Sequence, residues 1–412
     1  MPQITSVRGR LVYNSRGSKT IEIDIVSDNK HLGRACAPSG ASVGKYEAQS
    51  FADNKPEKSL QILNKNLKRF IGLHSDDLES IQSQLRKIDQ SPNYAGIGGA
   101  VAYALTIAAV DSASKALGQP MFKLISQTKK YRFPFPLGNI LGGGAHAGPG
   151  TPDIQEILVC AIGAKSPREA IEMNLAVHKE LGKLLQQSDP QFTNGRGDEG
   201  GWAPQMTNDE ALEISAKAVE SLGFTLGKEV ALGVDFASST QWDQEKKKYV
   251  YERAGFENTP EEQIDFAANI IKKYKLIYAE DAVHEEAFSD MAKLAKKFPN
   301  VLITGDDLTV TNAKILKKAI TKKSCNAAIL KVNQAGSLAD ALEFAQVANK
   351  NKIKLITSHR SGESTDHQIT HIGIATGSKM LKVGVVGGER IAKLNELIRI
   401  SEHDLLSGMA EV

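Results

Sequence analysis

The chain has 412 residues, of which 41% are hydrophobic and 24% are charged, and its formal net charge is +3. This is the composition of an ordinary globular protein, and the length predicts two domains. Lysine and arginine are interspersed with acidic residues, so no nucleic-acid partner is expected. The longest apolar stretch, residues 100–110, ends at Asp111 and is too short to cross a membrane, and the first residues carry no signal-peptide pattern.

The cysteines of this chain are far apart and lack the spacing of a metal site. They are Cys36, Cys160 and Cys325. An odd number of widely separated cysteines favours reduced thiols in the core rather than disulfides. We therefore expect a cytoplasmic protein with no membrane association.

The first part of the chain is predicted to mix strands and helices. Isoleucine alternates with acidic residues over residues 21–25, which predicts a half-buried strand, and a turn at residues 27–30 precedes a second strand that leads to Cys36. Helices are expected at residues 56–73, 75–88 and 99–117. A segment punctuated by prolines follows, and we interpret it as the boundary between an N-terminal α+β domain, residues 1–130, and a C-terminal domain, residues 131–412.

Five short apolar runs in the second half of the chain each end in a polar residue suited to chemistry. The terminal residues are Asp235, Glu280, Asp306, Lys331 and His359. The last four lie about 25 residues apart, which is the length of one strand, one helix and two loops, and this period predicts a parallel β/α barrel. A helix is also expected from Thr259 to Tyr274, because Thr259, Pro260 and Glu262 form a capped start. The fold class is thus α/β, with the polar strand ends around one mouth.

The three acidic strand ends suggest a metal site. Asp235, Glu280 and Asp306 are expected at consecutive strand ends, so their carboxylates should converge. Three ionised carboxylates repel each other unless a cation lies between them, and ligation by oxygen alone favours Mg²⁺. The alternative for any one of these acids is a solvated strand end or a helix cap.

Basic residues at the other strand ends indicate an anionic substrate. Lys331 and Lys382 close apolar runs, where burial and nearby cations should lower the pKa of each amine and make a base available. The alternative for Lys331 is an ion pair with one of the carboxylates. His359, Arg360 and Ser361 follow a strand and are suited to binding a phosphate group.

Three glycine-rich loops are further candidates, because glycine lets the backbone approach a ligand closely. Glu199 lies in the acidic loop of residues 197–204 and could act as a general acid opposite the lysine, although an exposed turn is the alternative. His146 has glycines on both sides in the loop of residues 142–148. Residues 39–44 could form a mobile lid or only a linker.

Together these motifs resemble the enolase family, and the resemblance runs from Val7 almost to the C-terminus. The segments that carry it are residues 39–44, 197–204, 305–312, 330–334, 358–363 and 389–395. Residues 386–390 are similar to archaeal members. The family's pattern is altered within residues 14–20, at Ala282 and at Ala313, and none of these changes removes a catalytic group.

The resemblance implies an enolase-type modified (β/α)8 barrel, whose opening strands are not all parallel, with an N-terminal α+β capping domain. It implies a Mg²⁺-dependent, reversible dehydration of 2-phosphoglycerate to phosphoenolpyruvate, in glycolysis and gluconeogenesis. A homodimer or a homo-octamer is expected. Two alternatives are a superfamily lyase or racemase that acts on a non-phosphorylated acid and a non-catalytic binding protein on the same scaffold.

The resemblance also implies a role for each site residue. Lys331 would be the base and Glu199 the acid, with Glu156 in support of Glu199. The metal ligands would be Asp235, Glu280 and Asp306, with Ser42 of the lid loop at a second Mg²⁺. The groups at the substrate would be His146, Glu156, Glu280, Asp306, His359, Arg360, Ser361 and Lys382. Lys379 lies near enough to Lys382 to be the alternative at that position.

Overall fold

A computed structural model of the protein describes residues 1–41, 44–126, 130–403 and 406–412. The N-terminal part contains a three-stranded antiparallel sheet in the order β1-β2-β3, followed by helices. Its elements are β1 Ile4–Tyr13, β2 Lys19–Ser27, β3 His31–Cys36, α1 Pro56–Asn66, α2 Leu78–Ile88, α3 Gly99–Leu117 and α4 Met121–Ile125. The strands predicted around residues 21–25 and before Cys36 are confirmed as β2 and β3.

Two of the three predicted N-terminal helices are shorter than expected. Helix α2 begins only at Leu78, because the side chain of Asp77 accepts a hydrogen bond from the backbone of Ser80 and caps the helix there. Helix α1 ends at Asn66 and is followed by a single 3₁₀ turn. Helix α3 has the predicted bounds. Within the described ranges it is the one helix long and apolar enough to cross a membrane, yet 78% of that apolar window is buried inside the protein.

The remaining elements are strands and helices, and from residue 278 onward the strands alternate with one or two helices. They are β4 Tyr131–Phe133, β5 Phe135–Gly142, β6 Glu156–Cys160, α5 Pro167–Ser188, α6 Asn208–Ser221, β7 Ala231–Asp235, β8 Trp242–Asp243, β9 Lys248–Tyr251, β10 Phe256–Asn258, α7 Pro260–Lys273, β11 Tyr278–Glu280, α8 Phe288–Lys297, β12 Leu302–Gly305, α9 Ala313–Lys322, β13 Ala327–Leu330, α10 Val332–Ala335, α11 Leu338–Lys350, β14 Lys354–Ser358, α12 Gln368–Thr376, β15 Met380–Lys382, α13 Gly388–Ser401 and β16 Leu406–Met409.

Eight of these strands close into a barrel in the order β11-β12-β13-β14-β15-β5-β6-β7. Strand β6 runs antiparallel to both β5 and β7, and the other neighbours in the barrel are parallel. The modified barrel is therefore confirmed, including the expectation that its opening strands are not all parallel.

The longer interval between Asp235 and Glu280 has a structural explanation. The small antiparallel sheet β8-β9-β10 is inserted between β7 and α7. Helix α7 then starts with the predicted capping box, in which Thr259 and Glu262 exchange side-chain and backbone hydrogen bonds.

The N-terminal part and one side of the barrel share a continuous apolar core. Helix α3 packs on β2 and β3, and the same cluster includes Leu316, Leu330 and Phe344 from the barrel side. The division at residue 130 stays our proposal. All cysteines of the chain are buried free thiols, as predicted.

Candidate active site

The predicted site residues within the described ranges line one cavity at the mouth of the barrel, except for Glu280, which is fully buried behind it. The cavity encloses about 450 Å³ of space, part of it open to solvent. Its lining includes Glu47, His146, Glu156, Glu199, Asp235, Asp306, Lys331, His359, Arg360, Ser361 and Lys382. Lys379 instead lines a separate cavity. Ser42 lies outside the described residues.

A row of buried carboxylates crosses three neighbouring strands. The pairing register sets Glu156 of β6 opposite Asp235 of β7, and Asp235 opposite Glu280 of β11. The Nζ atom of Lys382 lies 2.9 Å from Glu156, 3.2 Å from Asp235 and 2.6 Å from Glu280. A single ammonium group therefore faces three carboxylates.

Glu280 is the most deeply buried carboxylate of this row. Its side chain is fully buried, and burial together with the charge of Asp235 holds the pKa of Glu280 well above its usual range. Tyr278 donates a hydrogen bond of 2.6 Å to Oε2, whereas Oε1 has no hydrogen-bond partner among the described residues. A buried carboxylate oxygen without a partner, beside a second acid, fits a divalent cation that prefers oxygen ligands.

Lys331 is ion-paired with Asp306. The sequence had suggested such a pair with a strand-end carboxylate as the alternative to a free base. Asp306 also accepts a 2.9 Å hydrogen bond from Gln334. Burial is the largest single influence on Lys331 and would lower its pKa, but the acids around it, Asp306 first and then Glu280, together leave that pKa raised. The pKa of Lys382 is raised for the same reason, chiefly by Asp235 against the effect of burial. The positive charges of Lys382 and Arg360 do act to lower the pKa of Lys331, as predicted, but the net shift of each lysine is upward because acids surround each amine. A net lowering beside bound metal ions stays a prediction.

A second group of acids and imidazoles lies around Glu199. Glu199 is 3.2 Å from His359 and 3.8 Å from His146, whose Nδ1 is 3.1 Å from Glu156. Burial would raise the pKa of Glu199, but His359 and His146 hold it well below its usual range. Burial and the charge of Glu199 raise the pKa of Glu156 to about 7. When these two acids share one proton, it therefore resides on Glu156.

Arg390 determines which ring nitrogen of His359 carries the proton, and it lowers the pKa of that ring. Its guanidinium is fully buried and donates to His359 Nδ1 at 2.8 Å and to the backbone carbonyls of Arg360 and Ser361 at 2.7 Å each, and of Asp198 at 3.0 Å. Because arginine can only donate, Nδ1 must accept, and the ring proton lies on Nε2, facing Glu199. Burial and the charge of Arg390 lower the pKa of His359 to about 4, although Glu199 opposes this.

Arg360 connects the strand-end segment to the glycine-rich loop of the N-terminal part. It contacts Glu47 at 2.9 and 3.3 Å and Asn333 at 3.2 Å. The backbone of Gly44 donates a 2.9 Å hydrogen bond to Glu47. The segment that leads out of residues 39–44 is thus fastened to the barrel mouth by a buried ion pair.

Several residues that contribute to the site were missed by the sequence analysis. Asp281 accepts hydrogen bonds from the backbone of Asp306 at 3.0 Å and of Asp307 at 2.7 Å, and so shapes the turn after β12. Glu47 was missed because it lies in an ordinary polar stretch, and Arg390 was noted only as part of a motif. Asp281 follows Glu280 directly, which was the only local signal available.

Comparison with known proteins identifies the family. Residues 4–125 match the family model for the enolase N-terminal domain, and residues 130–410 match that for the enolase C-terminal TIM barrel domain. Proteins named enolase from Methanosphaera stadtmanae and Methanothermobacter thermautotrophicus are 43% and 41% identical over 99% of each chain. The one from Archaeoglobus fulgidus is 39% identical over 97% of each chain. With both family models and full-length archaeal relatives in agreement, the chain belongs to the enolase family.

Proposed function

We propose that this protein is a phosphopyruvate hydratase that interconverts 2-phosphoglycerate and phosphoenolpyruvate, with Mg²⁺ as its divalent metal. Enolases are lyases with this activity, and the family implies a divalent metal. The observation that carries the proposal is one cavity in which a buried lysine, a buried glutamate and a cluster of carboxylates face each other.

Asp235, Glu280 and Asp306 would hold the metal. The unpartnered Oε1 of buried Glu280 supports this assignment, as does a donor set made only of oxygen. When bound, the metal would stabilise negative charge that develops on the substrate carboxylate. Ser42 as a ligand of a second Mg²⁺ rests on the family resemblance alone.

Lys331 is proposed to take the proton from C2 of the substrate. It stands at the end of β13, where a buried amine can reach a molecule in the cavity. Its pairing with Asp306 favours the protonated form. A cation held by Asp306 would weaken that pairing and so favour the neutral amine that acts as the base.

Glu199 is proposed to protonate the leaving 3-hydroxyl group, with Glu156 as the store of the proton. The raised pKa of Glu156, about 7, means that this group is partly protonated at neutral pH. His146 contacts both acids and would keep them together. The proton would pass from Glu156 to Glu199 and then to the departing oxygen.

The phosphate group is proposed to lie against His359, Arg360 and Ser361. Arg360 is a buried bidentate donor, and Ser361 Oγ is buried without a hydrogen-bond partner among the described residues. Such a cluster favours a phosphorylated substrate over the non-phosphorylated acids of related lyases. Lys382 would contact the substrate carboxylate.

We also propose, on the resemblance, a homodimer or a homo-octamer and a cytoplasmic location. The buried free thiols of Cys36, Cys160 and Cys325 support a reducing compartment.

The assignment of base and acid is tested by isotope exchange. In Lys331→Ala, exchange of the C2 proton with deuterated solvent should stop together with turnover. In Glu199→Gln, turnover should fall by about 10²–10⁴-fold while C2 exchange stays detectable. Nuclear magnetic resonance of 2-phosphoglycerate incubated with each variant measures both. Lys379→Ala is the matched control, because Lys379 lies outside the cavity. Persistent exchange in Lys331→Ala would refute the role of Lys331.

A further inference from the structure

A second large cavity lies away from the barrel mouth, between helices α3, α4, α12 and α13. It encloses about 1350 Å³ of space, part of it open to solvent. Its lining includes Asp111 and Lys115 of α3, Met121 of α4 and a group of histidines with one glutamate. The proposed function uses none of these residues.

Two histidines and a glutamate converge on one side of this cavity. His367 immediately precedes α12, His371 lies one helical turn later, and Glu396 comes from the facing helix α13. One ligand atom from each lies within 4.8 Å of the others. His371 and Glu396 are 7% and 8% exposed, whereas the side chain of His367 is 40% exposed, so the cluster is buried on one side and open to solvent on the other.

We propose that His367, His371 and Glu396 form a binding site for a divalent transition metal of the zinc type, separate from the Mg²⁺ site. Two imidazoles and one carboxylate are the ligand set of open tetrahedral zinc sites, whereas Mg²⁺ prefers oxygen ligands alone. His367 is the N-cap residue of α12, four positions before His371, and a ligand atom of each histidine lies within 4.8 Å of Glu396. The remaining coordination position would face the cavity.

The distances between the ligand atoms show how far these side chains must move to bind one ion. His371 Nε2 is 2.9 Å from Glu396 Oε1, and His367 Nε2 is 3.9 Å from Glu396 Oε2. Zinc bonds of about 2.0–2.1 Å in a tetrahedron separate neighbouring ligand atoms by about 3.3 Å. The first pair must therefore open by about 0.4 Å and the second must close by about 0.6 Å. These two distances run to different oxygens of Glu396. The ligand atoms of the three residues lie within 4.8 Å of one another, so the widest pair must close by up to about 1.5 Å.

Two further observations bear on the site. His371 Nδ1 is buried and has no hydrogen-bond partner among the described residues, whereas Nε2, the nitrogen that faces Glu396, is the one placed to bind an ion. Arg399 donates to Glu396 Oε2 at 2.6 Å from both Nε and Nη2, which orients the carboxylate and leaves Oε1 directed at His371. The guanidinium charge opposes a cation, so Arg399 limits the affinity while it fixes the geometry.

A metal here would join α12 to α13. Helix α12 follows the segment of residues 359–361, and α13 carries Arg390, so the ion would brace the two helices that lie behind the barrel mouth. The proposal does not depend on the proposed catalytic function.

The test uses the full-length protein, stripped of metal and kept in excess Mg²⁺. Calorimetric titration with Zn²⁺ should reveal one site that Mg²⁺ does not block, and Co²⁺ should give the visible absorption of a tetrahedral ion. His371→Ala and Glu396→Gln should weaken Zn²⁺ binding by about 100-fold or more. His403→Ala is the matched control, since His403 lines the same cavity but is not in the cluster, and it should bind Zn²⁺ as the wild type does.

Three results would overturn the proposal. One is a wild-type protein that binds Zn²⁺ no better than His371→Ala does. Another is loss of Zn²⁺ binding in Asp306→Asn, which would locate the ion at the barrel mouth. The third is Zn²⁺ binding that excess Mg²⁺ abolishes. Far-ultraviolet circular dichroism shows whether each variant is folded. If His371→Ala does not fold, His367→Ala is used for the same measurement.

Discussion

Replacement of Arg390 by methionine should remove the hydrogen bond that orients the His359 ring and should destabilise the protein. The guanidinium is fully buried and makes four hydrogen bonds of 2.7–3.0 Å that connect α13 to the segment of residues 359–361 and to the loop of Glu199. Each acceptor left unpaired costs about 1–3 kcal/mol. Relief of the buried charge offsets part of this loss, so we expect unfolding free energy to fall by about 3–5 kcal/mol.

The same change should alter proton chemistry. Without the positive charge of Arg390, the pKa of His359 should rise from about 4 toward its usual value, so the imidazole becomes protonated at a higher pH. His359 also loses the bond that orients its ring toward Glu199, and displacement by about 1 Å can cost roughly 10²-fold in rate. Arg390→Lys should be intermediate, because a lysine keeps the charge but lacks the planar fork of donors.

Chemical denaturation, the pH profile of kcat/KM and titration of the His359 ring by nuclear magnetic resonance measure these effects. Arg399→Met is the matched control, since it removes an arginine from the same helix whose side chain is 57% exposed. If Arg390→Met unfolded at the same denaturant concentration as the wild type and kept both its pH profile and its His359 titration, the positioning role of Arg390 would be refuted.

Three further outcomes are expected. Asp306→Asn should weaken Mg²⁺ binding by at least about tenfold, because a ligand charge is lost while shape is kept; undiminished affinity in calorimetry would exclude Asp306 as a ligand. Gly33→Ala should destabilise the protein by about 1–3 kcal/mol or more, because its Cβ would lie 2.0 Å from the carbonyl oxygen of Ala108 on α3. Thermal unfolding tests this against Gly148→Ala, where a Cβ meets no atom within 4 Å. Amide hydrogen exchange at residues 39–41 should slow when Mg²⁺ and a substrate analogue are both present, and equal rates would argue for a mere linker.

The barrel could be predicted from the sequence because its signals are local. From β7 to β15, each parallel strand of the barrel is a short apolar run with a polar residue at or just after its end, and the step of about 25 residues repeats from β11 to β14. The start of α7 could also be predicted from the sequence, because Thr259 and Glu262, which cap it, lie within one helical turn of each other. Strand β6 could not be predicted in this way because it runs antiparallel to its neighbours. Its residue at the barrel mouth, Glu156, therefore stands at the start of the apolar run rather than at its end.

Only the tertiary structure decided which charged groups face each other. The sequence marked Lys331, Lys382 and the strand-end acids as candidates, but the direction of their pKa shifts depends on which carboxylate lies within a few ångströms of each amine. Likewise, Arg390 reaches Asp198 across 192 positions of the chain. Secondary-structure propensity and capping act between neighbours along the chain, whereas Coulomb interaction and desolvation depend on distances that exist only after the barrel has closed.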